Sequence, residues 1–175
     1  MKNIKIIRGD ITTADVDAIV NAANPVMLGG GGVDGSIHRA AGHLLLEECK
    51  KIQPVNSVRC PVGEARITPA GNLKAKYVIH TVGPIYMSDE SPEEHLRFAY
   101  KNSLELALSH DCTSIAFPAI SCGVYGYPPE EAADIALSVC MEAAYKDLSI
   151  YFYLFSQKMV DIWLRIYDKE VIKER

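Results

Sequence analysis

The chain has 175 residues, 49% of them hydrophobic and 23% charged, which is the make-up of one globular domain, so residues 1–175 are read as a single domain. A net charge of −4 argues against a nucleic-acid groove, which relies on clustered Lys and Arg, and no apolar run has the length of a signal peptide or a membrane span. Five cysteines without a CxxC pair argue against structural zinc or a disulfide framework and make a reducing cytoplasm the expected location.

In chain order, Ile4–Arg8 (IKIIR) reads as a first strand and Asp17–Asn21 (DAIVN) as a second. Four consecutive glycines, Gly29–Gly32, then precede a helix expected from Val33 to Ala40. Tyr77–Val82 (YVIHTV) is the next buried strand. Ser91-Pro92-Glu93-Glu94 follows, with Ser at the N-cap, Pro at the first helical position and Glu three residues on, the pattern of a capping box. The helix it opens carries an apolar stripe of Leu96, Ala99, Tyr100, Leu104, Ala107 and Leu108. Strand Ser114–Ile120 leads into Ser121-Cys122-Gly123-Val124-Tyr125-Gly126 and then to a helix announced by Pro128, with its stripe at Ala132, Ile135, Ala136, Val139, Cys140 and Ala143. Strand Ile150–Phe155 and a helix capped by Ser156, striped by Val160, Trp163, Leu164 and Tyr167, complete the chain. Continuously apolar strands alternating with helices imply an α/β fold whose sheet is covered on both faces.

Glycine costs more backbone entropy on folding than any other residue, so four in a row point to a main chain that something must approach closely. Gly29–Gly32 and Ser121–Gly126 share one design: a strand, a glycine loop and a helix N-terminus, where bare N–H groups and the helix dipole favour an anion. Neither loop contains Lys or Arg, and neither GxxxxGK[ST] nor GxGxxG occurs. The pair therefore suggests a phosphate ester or diphosphate gripped by backbone and not transferred. The plain alternative is two tight turns where helices pack on strands.

GDIT (Gly9–Thr12), IVNAAN (Ile19–Asn24), GGGGVDGSIHRAAG (Gly29–Gly42), CPVGEARIT (Cys60–Thr68), YVIHTVGP (Tyr77–Pro84) and FPAISCGVYGYP (Phe117–Pro128) together resemble a macrodomain of the MacroD type, over nearly the whole chain. The resemblance implies a three-layer α/β/α macrodomain with a mixed central sheet. It implies an ADP-ribose site and metal-independent, cofactor-free hydrolysis of ADP-ribosyl esters, on mono-ADP-ribosylated Asp or Glu of proteins or on O-acetyl-ADP-ribose. The ligand set it implies is Asp10 and Ile11 at the adenine amino group, Phe155 stacked on adenine, Gly30, Gly31, Gly32 and Val33 over the distal ribose and one phosphate, and Ser121, Cys122, Gly123, Val124 and Tyr125 over the diphosphate. Asn24 and Asp34 are the implied catalytic pair: Asn24 holds the ribose next to the scissile bond, and Asp34 orients or deprotonates the attacking water, with the ligand's diphosphate as a further candidate base.

Each assignment has a plainer counterpart. Asp10 reads equally as a turn cap, Phe155 as a core aromatic and Asp34 as a carboxylate complementing a helix dipole. Asn21 reads as a scaffold residue whose amide ties the loop, and His38 and His80 as packed or hydrogen-bonded histidines. Two departures from the family pattern stand out: Cys122 where many relatives carry Thr, with a thiol that could be reactive beside a helix N-terminus, and Gly35-Ser36 where many carry Ala-Ile, which loosens the turn that places Asp34. The partner expected is a small molecule or protein carrying ADP-ribose, not nucleic acid or membrane, with a monomer as the simplest assembly. A non-catalytic ADP-ribose reader and an ADP-ribose 1''-phosphate phosphatase are the competing functions; Asn24 and Asp34 favour the hydrolase.

Overall fold

The computed structural model describes residues 3–174. Six strands form one sheet: β1 (Ile4–Arg8), β2 (Ala18–Ala22), β3 (Ala65–Pro69), β4 (Tyr77–Thr81), β5 (Ser114–Phe117) and β6 (Ser149–Leu154). Five helices accompany them: α1 (Gly32–Ala41), α2 (His43–Lys50), α3 (Pro92–Ser109), α4 (Pro129–Cys140) and α5 (Gln157–Lys173). The spatial order is β1-β6-β5-β2-β4-β3, parallel throughout except for β3, which runs antiparallel to β4. The expected α/β class with a mixed sheet is the fold observed.

Alternation along the strands divides the core between two layers. Val20, Ile79, Phe117 and Phe152 pack with α3, α4 and α5 around Tyr100 and Trp163. Ile19, Val78 and Ala116 pack on the other face with Ile37 of α1 and Leu45 of α2. Both faces of the inner strands are thus dry, which is why their sequences are continuously apolar.

Several expected elements are corrected in detail. β5 stops at Phe117, three residues short of Ile120, because Pro118 cannot donate to a ladder. Phe155 lies just beyond β6. Leu108 and Leu164, assigned to apolar stripes, are partly open to solvent at 38% and 42% exposure. The capping box at α3 does not close. Ser91 is the N-cap but its side chain makes no cap bond; instead its own N–H donates to Asp89 Oδ1 at 2.8 Å, and the same oxygen lies 2.7 Å from His95 Nδ1. Ser156 caps α5 as expected, accepting from the Met159 N–H at 3.2 Å. β3 and α2 are elements beyond those the sequence pattern marks.

The parallel strands all end at one edge. There β2 and its neighbours β5 and β4 run out together, with β6 beside β5. The two glycine loops leave adjacent strands.

Candidate functional site

A cleft of about 640 Å³ opens at that edge, within the usual range of small-molecule sites. The loop after β2 and the first turn of α1 supply Asn24 and Gly30–Asp34, the loop after β5 supplies Ser121–Tyr125, and Phe155 follows β6. Its lining contains no Lys or Arg, and Asp34 is its one carboxylate. Of the residues that sequence analysis assigned to the ligand, Asp10 and Ile11 do not line this cleft. Asp10 is exposed at the end of β1, where its Oδ1 caps a 3-10 turn by accepting from the Thr12 N–H at 2.9 Å and the Thr12 hydroxyl at 2.7 Å. Ile11 is buried in the α1 layer.

Each glycine of the first loop has its own physical reason. Gly29 and Gly32 adopt φ of +96° and +56°, in the left-handed region that side chains rarely enter. A Cβ on Gly30 would lie 3.0 Å from Asp34 Oδ2 and 3.2 Å from Asn24 Nδ2. Gly31 has ordinary extended backbone and open space where a Cβ would stand, and Gly123 in the second loop has the same open space. Both line the cleft. Gly35, which the sequence suggested would loosen the helix, has a packing role: a Cβ there would sit 2.7 Å from the Gly30 carbonyl. It lets the loop lie down on the first turn of α1.

The second loop is braced from below. Ser121 takes φ +67° without being glycine, held by its Oγ donating to the Pro84 carbonyl at 2.8 Å. Gly83 precedes that proline, and a Cβ on it would strike Ser121 Oγ. Gly83, Tyr153 and Met159 line the cleft and had no assigned role in the sequence. Position at a strand's carboxyl end is the signal for Gly83 and Tyr153, and spacing four residues beyond Phe155 on a capped helix is the signal for Met159.

Asp34 lies in the first turn of α1 and is buried. Its Oδ1 accepts from Asn21 Nδ2 at 2.8 Å and lies 3.4 Å from His38 Nε2, one helical turn on. Burial raises the carboxyl above its ordinary pKa, while the Asn21 bond and the His38 ring pull it down. Tyr125 belongs to the same electrostatic environment: burial first, then the Asp34 charge, raises its phenol. The two asparagines differ from expectation. Asn24 is the one that ties the loop, donating to the Gly29 carbonyl and accepting from the Met27 N–H, each at 3.1 Å. Asn21 reaches Asp34 and His80 instead. Cys122 is not the activated thiol considered above, because burial pushes its pKa to about 12.

No group of three or more His, Cys, Asp or Glu with metal-site geometry occurs among the described residues. Among the described residues no helix is long and apolar enough to cross a membrane.

The family model for the macro domain matches residues 20–136. The chain is 60% identical over 163 residues to a macro domain-containing protein of Vibrio parahaemolyticus, covering 93% of this chain and 96% of that one. It is 52% identical over 171 residues to the O-acetyl-ADP-ribose deacetylase of Citrobacter rodentium, covering 95% and 96%. Among solved structures, an Oceanobacillus iheyensis macrodomain with ADP superimposes with a TM-score of 0.90 at 42% identity, covering 97% of this chain and 92% of that one.

Proposed function

Because the chain belongs to the macro domain family, we propose that its cleft binds ADP-ribose and that it hydrolyses ADP-ribosyl esters, O-acetyl-ADP-ribose or mono-ADP-ribosylated Asp and Glu on proteins. The observation that carries this reading is the meeting, in one cleft without Lys or Arg, of two glycine loops and a buried carboxylate. Bare N–H groups suit a diphosphate that is held and not transferred. The exposed ring of Phe155 suits a base stacked at the far end, and Asp10 beyond the neighbouring strand suits the adenine amino group.

At the other end, Asn24 and Asp34 flank Gly30. Asp34 Oδ1 is taken up by Asn21 and His38, so Oδ2, which faces Gly30, is the oxygen left to act. It orients and activates a water: attack on the ester carbonyl expels the ribose oxygen, which takes up the water's proton, whereas attack on the anomeric carbon of a protein ester expels the Asp or Glu carboxylate. A positioned base contributes about 10²–10⁴-fold in rate, and the two loops supply orientation. The relatives named as O-acetyl-ADP-ribose deacetylases support the ester as the bond cleaved.

The test is parallel incubation with O-acetyl-ADP-ribose and with an Asp/Glu-ADP-ribosylated protein, measuring released ADP-ribose with and without EDTA. Turnover of either substrate, unaffected by EDTA, is expected. Tight ADP-ribose binding with no release from either substrate would make the protein a reader, and restoration of an EDTA-lost rate by added metal would overturn the water-and-carboxylate mechanism.

A further inference from the structure

The register of the sheet lines up three buried polar side chains behind the cleft carboxylate. Asn21 of β2 is directly opposite His80 of β4, and Thr68 of β3 is two residues from Arg66, the partner of His80. All three therefore point to the face covered by α1 and α2. Asn21 Nδ2 bonds Asp34 Oδ1 at 2.8 Å and lies 3.2 Å from His80 Nδ1, while His80 Nε2 lies 3.0 Å from Thr68 Oγ1. Asn21, Thr68, His80 and Asp34 are each at most 5% exposed, so each bond is made in a low-dielectric interior.

The orientation of the Asn21 amide decides where the protons are. A side-chain amide nitrogen carries two hydrogens, and here it faces two acceptors, a carboxylate and a ring nitrogen. His80 Nδ1 must then be the bare nitrogen, and the ring proton sits on Nε2, donated to Thr68. The opposite tautomer would require the Asn21 carbonyl oxygen where Nδ2 now stands. That oxygen would face Asp34 Oδ1 acceptor to acceptor, which only a protonated Asp34 could accommodate. The tautomer of one residue and the ionisation of another are thus linked through the orientation of a single amide.

We propose that His80 is a positioning residue for ester hydrolysis: through Asn21 it holds the Asp34 carboxylate ionised and aimed at the cleft, with Thr68 fixing the His80 proton on Nε2. The role rests on Asp34 acting on the water, as set out above. It requires a neutral ring, and burial, aided by the nearby His38, holds the His80 pKa at about 3. The other titratable groups facing this line are His38 from α1, Cys49 from α2, with Sγ 3.7 Å from His80 Nε2, and Tyr125 from the loop after β5. Burial first, and then the Asp34 charge, lift the Cys49 thiol to about 11, and Tyr125 is raised as well, so both stay neutral. His38 is retained in every variant below.

Three variants test the relay. His80→Leu removes the acceptor, His80→Asn can restore an amide oxygen at the Nδ1 position, and Thr68→Val releases the tautomer with almost no change of shape. Expected for His80→Leu are a fall in kcat of about tenfold or more and a change in ADP-ribose affinity under about threefold. The acid limb of kcat/KM should move to higher pH, because an Asn21 amide that His80 no longer orients can turn its donor away from Asp34, and a carboxylate that loses a donor is harder to ionise. Thr68→Val should move both in the same direction by less, and His80→Asn should recover most of the loss. Nitrogen-15 spectra of His80 and a carbon-13 titration of the Asp34 carboxyl read the relay without any turnover. The parent should show the Nε2–H tautomer, and Asp34 should titrate higher in Thr68→Val. A parent with the Nδ1–H tautomer, an unmoved Asp34 titration, or affinity falling in step with rate would overturn the proposal. If the parent shows no turnover, the functional reading fails while the spectra still decide the relay. If His80→Leu does not fold, Thr68→Val carries both readouts.

Discussion

At Asp34 burial is the largest influence on the carboxyl and raises its pKa in the folded state, so ionising it costs folding free energy. A group whose folded pKa is raised contributes fully below the unfolded value of about 3.9, and that contribution is lost as pH rises through the folded value. Asp34→Asn should therefore have a higher Tm than the parent at pH 8, with the gap closing toward pH 4 in calorimetry. The same variant should lose about 10²-fold or more in single-turnover hydrolysis, with ADP-ribose affinity within about tenfold. Asn24→Ala should lose rate comparably but also weaken binding, because its amide holds Gly29 and Met27 in the loop that meets the ligand. Cys122→Thr should hydrolyse at close to the parent rate, and iodoacetamide at pH 7.5 should leave the parent active, since a thiol with a pKa of about 12 is almost wholly protonated there. Asp34 could be singled out in the sequence because it stands two residues after the glycines, at the helix start. The partners of Asn21 could not, because the bond to His80 depends on the pairing of β2 with β4, which no local pattern encodes.

Among the elements, the best-read were those with both a buried stripe and a side-chain cap. α5 is one, and Ser156→Ala should remove about 1 kcal/mol, a fall of about 2–4 °C in Tm by thermal denaturation. ADP-ribose affinity should fall slightly as well, because the capped turn carries Met159 at the wall of the cleft. α3 shows the limit of cap reading: Ser91 occupies the N-cap, but the carboxylate of Asp89 takes the backbone bond. β3 escaped notice because ARITP has a charge and a proline and little apolar run, as suits a strand at the sheet's edge. α2 escaped because its eight residues follow Gly42 with no capping side chain and leave Leu44 half in solvent.

For the whole molecule, apolar strands between helices sufficed to read a sheet covered on both faces, but not the order of its strands. Pairing across the sheet joins segments far apart in sequence, and β6 lies between β1 and β5. That placement sets a timetable for biosynthesis. Of the six strands β1 is made first, yet β6, its neighbour in the sheet, is made last of them, about 7–30 s later at 5–20 residues per second. Until then Ile4 and Ile6 have no strand to lie against, and the nascent chain presents an unpaired apolar edge to other chains and to chaperones. A chain ended at Asp147 should therefore be protease-sensitive at its N-terminus and show no thermal shift with ADP-ribose, although it retains both glycine loops, Asn24 and Asp34. The ligand-binding edge is incomplete until β6 is made, so a ribosome stalled anywhere before β6 should carry no functional copy of the site.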